Sequence, residues 1–253
     1  MIMPKKDVGV VIPAAGMGQR MQSDIPKQYL KINNKTILEH TLNCFLYRDE
    51  VVGILVVLAP HDEYWNSLSF ENTSLKETLF TTNGGKDRAE SVLCGLDYLF
   101  DVQKISPDSW VMVHDAARPC LSSIDLDSLL ELCCSEEVGG LLASPVKDTM
   151  KRSEVLSGGG NRVMHTESRD GLWHAQTPQM FRLNKIKFAL EECQKSGFNV
   201  TDECSAMEYV GESPLIIESL FNNVKVTNPA DIKLVEYLLN EKSKAGEKCV
   251  KSR

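Results

Sequence analysis

The chain has 253 residues, of which 42% are hydrophobic and 25% charged, a composition typical of an ordinary folded domain and not of a disordered protein. Its net charge of -7 gives no general attraction to nucleic acid or to an anionic membrane, so we expect neither as a partner. A polyphosphate ligand would therefore need a locally basic pocket. No apolar run approaches the length that spans a bilayer.

The eight cysteines show no Cys-x-x-Cys spacing. Cys44, Cys94 and Cys193 stand in apolar, helix-like runs, where cysteine behaves as a small buried hydrophobe. We therefore expect reduced thiols rather than disulfides or zinc. Residues 1–7 lack the apolar core of a signal peptide, so the expected location is the cytoplasm.

The first half of the chain alternates between two patterns. Helical periodicity is present around residues 37–45, 92–100 and 124–134. Short apolar and β-branched runs predict strands at Val8–Ile12, Val51–Leu58, Trp110–Val113 and Leu141–Ala143. Strands that alternate with helices predict an α/β fold with a mainly parallel sheet.

The alternation stops between Val146 and Gly171, where the chain is polar and carries three glycines at 158–160. We predict a protruding hairpin arm with a glycine-rich tip. Helices are predicted at 183–194, 202–210 and 229–239, and late strands at 215–218 and 224–226. The charged segment 242–253 is predicted to be a disordered tail.

Ligands of parallel α/β sheets bind beyond the carboxyl ends of the strands. This rule directs attention to the segments that follow the predicted strands, at 14–20, 84–88, 115–118 and 145–151.

The first of these segments joins a strand to a helix. Gly16 and Gly18 allow backbone N–H groups to approach an anion, and Arg20 and Lys27 follow closely. A dinucleotide fingerprint would need glycine where Met21 stands, and the Gly-Lys-Ser/Thr of a P-loop is missing. A phosphate cradle and a tight turn without a ligand both remain open.

The second segment, Gly84–Ser91, follows the same design. Its paired glycines permit close backbone approach, and Arg88 and Ser91 fall one helical turn apart. The alternative is a simple helix start capped by Asp87, with Arg88 in solvent.

The third segment is His114-Asp-Ala-Ala-Arg-Pro119. A carboxylate at the end of a buried strand needs a cation or a ligand hydroxyl, since an isolated buried charge is costly. Asp115 therefore either pairs internally with Arg118 or faces a metal or a sugar hydroxyl. We interpret His114 as a packed core residue, and His165 and His174 lack metal-ligand spacing.

Taken together, the motifs closely resemble the 2-C-methyl-D-erythritol 4-phosphate cytidylyltransferase family of the non-mevalonate isoprenoid pathway. The blocks occur in the family's order and cover residues from about 8 to 240. They are Pro13-Ala-Ala-Gly-x-Gly-x-Arg-Met21, Pro26-Lys-Gln-Tyr29, Gly84-Gly-x-x-Arg-Ala89, Val113-His-Asp-Ala-Ala-Arg-Pro119, Pro145-Val-x-Asp-Thr-Met-Lys151, Arg169-x-Gly-Leu-Trp-His-Ala175, Thr177-Pro-Gln179, Thr201-Asp-Glu203 and Asn223-x-Lys-Val-Thr227.

The resemblance implies a Rossmann-like, three-layer nucleotidyltransferase domain over residues 1–241, with an arm at about 146–171 that embraces a second subunit. It implies Arg20 and Lys27 as catalytic residues. Implied nucleotide contacts are Ala14, Ala15, Gly16, Gly18, Gly85, Arg88 and Ser91. Implied sugar-phosphate contacts are Asp115, Arg118, Thr149 and Lys225, joined across the dimer by Arg169, Thr177 and Thr201.

The implied substrates are CTP and 2-C-methyl-D-erythritol 4-phosphate, with Mg²⁺ held mainly by the CTP phosphates and Asp115 as a possible ligand. Lys86 departs from the acid that the family often has there, so its side chain receives no role. Two alternatives stay open: a cytidylyltransferase for another polyol phosphate, such as ribitol 5-phosphate, and a non-catalytic nucleotide sensor.

Overall fold

The structure is a computed structural model that describes residues 7–16, 18, 21, 25–68, 78–132, 135–219 and 223–250. The helices are α1 (Ile37–Asn43), α2 (Arg88–Asp101), α3 (Ser123–Leu132), α4 (Leu183–Ser196), α5 (Glu203–Tyr209) and α6 (Pro229–Val250). The strands are β1 (Val8–Pro13), β2 (Lys31–Ile32), β3 (Lys35–Thr36), β4 (Val51–Leu58), β5 (Leu79–Asn83), β6 (Trp110–Val113), β7 (Gly139–Pro145), β8 (Met150–Val155), β9 (Asn161–Glu167), β10 (Trp173–Arg182) and β11 (Leu215–Glu218).

A seven-stranded sheet in the order β11-β7-β10-β6-β1-β4-β5 forms the centre of the fold. β1 pairs in parallel with both β4 and β6, and β4 pairs in parallel with β5. β10 runs antiparallel to its neighbours β6 and β7. The prediction of a mainly parallel sheet is therefore confirmed. The chain progresses away from β1 in both directions, and the crevice beside such a strand is the usual ligand site of an open α/β sheet.

Helices cover both faces of this sheet, which explains why its strands read as continuous apolar runs. Val10 and Ile12 of β1 pack in the layer that contains Leu38 of α1 and Leu129 of α3. Val11 points the other way, into the layer that contains Leu96 of α2 and residues of α4 and α5. The result is the expected three-layer fold.

A glycine brings α2 unusually close to the sheet. A Cβ atom on Gly95 would lie 2.7 Å from Cγ1 of Val11, a distance that real Cβ atoms do not adopt. The N-terminus of α2 is thereby held at the carboxyl edge of the sheet, beside the loop that follows β1.

The predicted hairpin arm is confirmed as the antiparallel pair β8 and β9. Its tip carries Gly159 and Gly160 at φ values of 84° and 87°, a backbone region that favours glycine. The residues of both strands are exposed, apart from the partly exposed Glu167.

Two expectations need correction, and one strand was missed. Residues 224–226 form no strand, and Val226 N–H donates to Ala117 O instead of to a sheet neighbour. The predicted disordered tail is helical up to Val250, the last of its residues that the structure describes, because α6 continues mainly through Glu, Lys and Ala and because Lys242 Nζ donates to Leu121 O. Strand β10 was not predicted at all.

Among the described residues, no helix is both long and apolar enough to cross a bilayer.

Candidate functional site

The loop after β1 is fixed by backbone and side-chain hydrogen bonds. Ala14 N–H donates to Val57 O of the neighbouring strand at 2.8 Å. The buried Gln28 side chain, from a short 3-10 helix, donates to Ala14 O at 2.6 Å. The start of this loop is therefore rigid before any ligand binds.

Gly18 and Lys27 are packed against each other within the same loop region. Gly18 has a φ of 67°, and a Cβ atom there would lie 2.8 Å from Cγ of Lys27. The Lys27 ammonium group donates to Val226 O at 3.1 Å. Glycine at position 18 is thus what lets the lysine lie along the loop. Arg20, the other predicted catalytic residue, lies outside the described residues.

The second glycine loop is tied to the first. A Cβ atom on Gly84 would approach Cβ of Ala15 to 2.9 Å, so the two loops touch. Ser91 is buried: its hydroxyl donates to Asp87 O at 2.7 Å and accepts from Gly85 N–H at 3.2 Å. Asp87 does cap α2, as the simpler interpretation held, by accepting from Glu90 N–H at 2.8 Å. Arg88, however, is not left in solvent.

Asp115 is the centre of a buried charge cluster. Its carboxylate lies 2.8 Å from Lys225 Nζ, 3.3 Å from Arg118 Nε and 3.4 Å from Arg88 Nη2. Burial alone would raise the pKa of Asp115, but the adjacent cations, Arg88 and Lys225 above all, hold it well below its usual range. The internal pair with Arg118 exists, and it is one part of a larger arrangement.

Arg88 bridges this cluster to a second carboxylate. It binds Glu203 with two hydrogen bonds of 2.7 and 3.0 Å, and the Glu203 side chain is fully buried. Burial tends to lower the pKa of Arg88, but Glu203 and Asp115 together raise it above its ordinary value. The guanidinium is therefore permanently charged and held from two sides.

His114 and Thr177 fix the backbone at the start of this segment. His114 is fully buried, and desolvation lowers its pKa to about 4, so it is neutral at pH 7. Its Nε2–H donates to Arg118 O at 3.0 Å, which leaves Nδ1 to accept from the Thr177 hydroxyl at 3.1 Å. The same hydroxyl accepts from Asp115 N–H at 3.0 Å. The interpretation of His114 as a packed core residue is confirmed.

These loops enclose a cleft of about 240 Å³ at the carboxyl edge of the sheet. Four cations, Lys27, Lys86, Arg88 and Lys225, line it against the two carboxylates Asp87 and Asp115. The cleft is thus locally basic in an acidic chain. Its lining includes the predicted site residues Ala14, Ala15, Gly16, Lys27, Gly85, Arg88, Ser91, Asp115 and Lys225.

The remaining predicted residues lie elsewhere. Thr149 and Arg169 are exposed at the base of the arm, where the Arg169 guanidinium donates to Lys147 O. Thr201 is exposed just before α5. Thr177 is buried beside Asp115 of its own chain, and Arg118 donates to Asn223 O at 2.6 Å. Within one subunit, Thr149, Arg169 and Thr201 do not line the cleft.

Sequence reasoning missed Gln28, Glu203 and Asn223 as parts of the site. Asn223 donates to Thr177 O at 2.6 Å and is buried. All three are polar residues inside the motif blocks, and a buried polar side chain has to find a partner. Their partners, however, lie 14, 46 and 115 positions away in the sequence and are brought next to them only by the fold.

The described residues contain no group of three or more His, Cys, Asp or Glu side chains placed to hold a metal ion. Asp115 is already surrounded by cations, which disfavours a further one beside it. A metal ion would therefore need oxygen ligands from a bound phosphate.

Comparison with known proteins gives a consistent result. The profile of the 2-C-methyl-D-erythritol 4-phosphate cytidylyltransferase family matches residues 8–241. A protein of that name from Vibrio parahaemolyticus is 44% identical over 91% of this chain and 94% of its own length. One from Alteromonas mediterranea is 45% identical over 94% and 95%. The crystal structure of the Francisella tularensis protein of the same name has a TM-score of 0.76 and 36% identity, covering 92% of this chain and 100% of its own.

Proposed function

The chain belongs to the 2-C-methyl-D-erythritol 4-phosphate cytidylyltransferase family, and on that basis we propose that it transfers the CMP moiety of CTP to 2-C-methyl-D-erythritol 4-phosphate. The products are 4-diphosphocytidyl-2-C-methyl-D-erythritol and pyrophosphate, in isoprenoid precursor synthesis. The observation that carries the proposal is the basic cleft, in which Lys27, Arg88 and Lys225 line the same space as residues 14–16 and the carboxylate of Asp115.

The chemistry requires cations more than a base. A phosphate monoester has a second pKa of about 6, so the attacking phosphate oxygen of the sugar phosphate is already ionised at neutral pH. That oxygen forms a bond to the α-phosphorus of CTP while the bond to the leaving pyrophosphate breaks. Among the described residues, the buried histidine beside the cleft is His114, which is neutral and doubly hydrogen-bonded. This accords with a mechanism that needs no proton transfer.

Lys27 is the residue that we assign to the developing charge on the transferring phosphoryl group, with Arg20 as its expected companion. Preorganised donors of this kind stabilise a transition state more than a ground state. Gly18 and Val226 O hold the lysine along the loop. Asp115, Arg118 and Lys225 would receive the sugar phosphate.

We propose Mg²⁺ as the cofactor, bound through the CTP phosphates and not through a protein cage. Mg²⁺ usually keeps several waters and binds through few side chains together with substrate phosphates, which suits a cleft without a carboxylate cluster. When bound, it would neutralise phosphate charge. Asp115 is a poor candidate ligand, because Arg88, Arg118 and Lys225 already compensate its charge.

A homodimer is the proposed assembly. The arm exposes apolar side chains, with Val155, Val163 and Met164 at 82%, 57% and 58% exposure, and a second subunit would cover them. Thr149 and Arg169 at the base of the same arm would then reach the partner's cleft. Cys44, Cys94, Cys120, Cys193 and Cys204 are free thiols, which supports the proposed cytoplasmic location.

Pyrophosphate release from CTP tests the function. Turnover with 2-C-methyl-D-erythritol 4-phosphate and not with ribitol 5-phosphate supports the proposal, and the reverse preference supports the other polyol phosphate. Binding of CTP without turnover of either sugar phosphate would support the remaining alternative, a non-catalytic nucleotide sensor.

A further inference from the structure

Glu203 is a fully buried carboxylate that contacts the cleft only through another residue. Its two oxygens bind the two terminal nitrogens of Arg88, at 2.7 and 3.0 Å. The Arg88 side chain is 31% exposed and lines the cleft, whereas that of Glu203 is 0% exposed. Glu203 is thus the buried partner of Arg88, and Arg88 lines the cleft.

Several hydrogen bonds hold the first turn of α5, which carries Glu203. Asp202 caps α5 by accepting from Ser205 N–H at 2.9 Å, and Ser205 Oγ in turn accepts from Asp202 N–H. Gln179 of β10 accepts from Cys204 N–H at 2.7 Å and donates to Asp202 Oδ2 at 2.8 Å. The first turn of α5 is therefore anchored to the sheet on both sides of Glu203.

These contacts close a ring around the end of β6. Asp115 meets Arg88, Arg88 meets Glu203, and α5 is bound to Gln179. Two residues before Gln179 on β10, Thr177 accepts from the backbone of Asp115. The ring of contacts therefore begins and ends at Asp115: Arg88 contacts its carboxylate, and Thr177 accepts a hydrogen bond from its backbone N–H.

The bonds of Arg88 are unequal, which indicates the role of Glu203. Both contacts to Asp115 are 3.4 Å, longer than either bond to Glu203. Glu203 therefore sets the position of the guanidinium. Without its charge, Arg88 would move onto Asp115, the nearest remaining anion, and compete with Lys225 for that carboxylate.

We propose that Glu203 is a positioning residue for the transfer reaction. It holds Arg88 away from Asp115, so that the carboxylate of Asp115 remains available to Lys225 and to a hydroxyl group of the incoming sugar phosphate. The inference rests on the proposed function. It adds a specific claim, that the effect of Glu203 on catalysis passes through Arg88 and concerns the sugar phosphate more than CTP.

The test is a double-mutant cycle on steady-state pyrophosphate release, with Glu203→Gln, Arg88→Gln and the double variant. In the wild-type background, Glu203→Gln should lower kcat/KM for the sugar phosphate about 10- to 100-fold, because a small misplacement of a site group has effects of that size. The KM for CTP should change less than about threefold. In the Arg88→Gln background, the same substitution should change kcat/KM by less than about twofold.

Two further variants separate positioning from general destabilisation. Glu203→Asp keeps the charge on a shorter side chain and should recover part of the loss; if Glu203→Gln fails to fold, Glu203→Asp replaces it in the cycle. Glu212→Gln is the matched control, since it removes a partly exposed carboxylate whose partner is Lys185 at 3.2 Å. It should leave the kinetics unchanged.

An equal loss from Glu203→Gln in both backgrounds, or a loss confined to the KM for CTP, would overturn the inference. So would wild-type kinetics in Glu203→Gln. A wild-type protein that turns over no sugar phosphate would instead refute the proposed function, and it would do so before any variant is compared.

Discussion

The cleft and the arm differ in the kind of side chain that each buries or exposes. Around the cleft, the buried carboxylate of Asp115 is paired with three cations, Arg88, Arg118 and Lys225. On the arm, apolar groups are exposed, and Val155 is 82% accessible. The contrast indicates that the chain preorganises its own charge cluster, while the arm leaves apolar side chains exposed, available for the dimer contact proposed above. Four predictions test this division, beginning with the largest expected effect.

Lys27→Ala should lower kcat about 10²- to 10³-fold, the usual effect of removing one preorganised transition-state donor. The affinity for CTP should fall far less, because other groups still hold the triphosphate. Steady-state kinetics and direct CTP titration would separate the two effects. Lys31→Ala, an exposed lysine on β2, is the control. Near-normal turnover of Lys27→Ala would contradict its role.

Acid should destabilise the protein through His114. A buried base with a pKa lowered from 6.5 to about 4 binds its proton more weakly in the folded state, so the stability it confers is present above pH 6.5 and is lost as the pH falls towards 4. Between pH 7 and pH 4 the loss should be about 3 kcal/mol. The lowered pKa of Asp115 acts in the same direction, but its contribution is lost only below the pKa of an unfolded aspartate, about 3.9.

Urea unfolding at the two pH values measures this loss. His114→Gln should remove most of the pH dependence, whereas His165→Gln on the exposed arm should leave it as in the wild type. Identical curves for the wild type and His114→Gln would contradict the assignment.

Gly18→Ala should impair the loop without removing any functional group. The positive φ costs an alanine about 1–3 kcal/mol of strain, and the added methyl group would displace Lys27. We expect kcat to fall about tenfold, less than in Lys27→Ala. Gly158→Ala, at an arm position with open space and no positive φ, is the matched control. Equal kinetics in the two glycine variants would show that the contact with Lys27 is unimportant.

The effect expected on the arm, from Val155→Ser combined with Val163→Ser, is no larger than that of Gly18→Ala and leaves catalysis within the chain untouched. The two valines project to the same face of the hairpin. Because both are exposed, the stability of the single subunit should change by less than about 0.5 kcal/mol. Dimer dissociation, measured by sedimentation, should become about tenfold easier, or about 1.4 kcal/mol. Phe188→Ser, an exposed apolar residue on α4, should have no such effect; unchanged association of the valine variant would exclude this face as the interface.

The sequence predicted the core of the fold well where burial on both faces leaves a continuous β-branched run, as in β1 and β4. It failed at β10, because Pro178 and the polar residues around it interrupt the pattern. The structure places a register shift there, between Ala175 and Gln179, which accommodates the proline. It also misread 224–226, whose apolar residues pack against α6 without joining a sheet.

The glycine loops and the acid after β6 were predictable because the chemistry of a strand end is local. The role of Glu203 was not, since its partner Arg88 is 115 positions away and only the fold brings them together. Thr177 illustrates the same limit. The motif marked it as important, but its hydroxyl can donate to His114 only because that buried ring is neutral, which the fold determines.

That arrangement makes Thr177 a natural reporter. Its hydroxyl donates to Nδ1 of His114, and both side chains are buried. The hydroxyl proton should therefore exchange slowly with water and give its own resonance in a proton NMR spectrum. Protonation of His114 would remove the acceptor and extinguish the signal. A single resonance would then follow the integrity of the Asp115 segment during catalysis, inhibitor binding or acid unfolding.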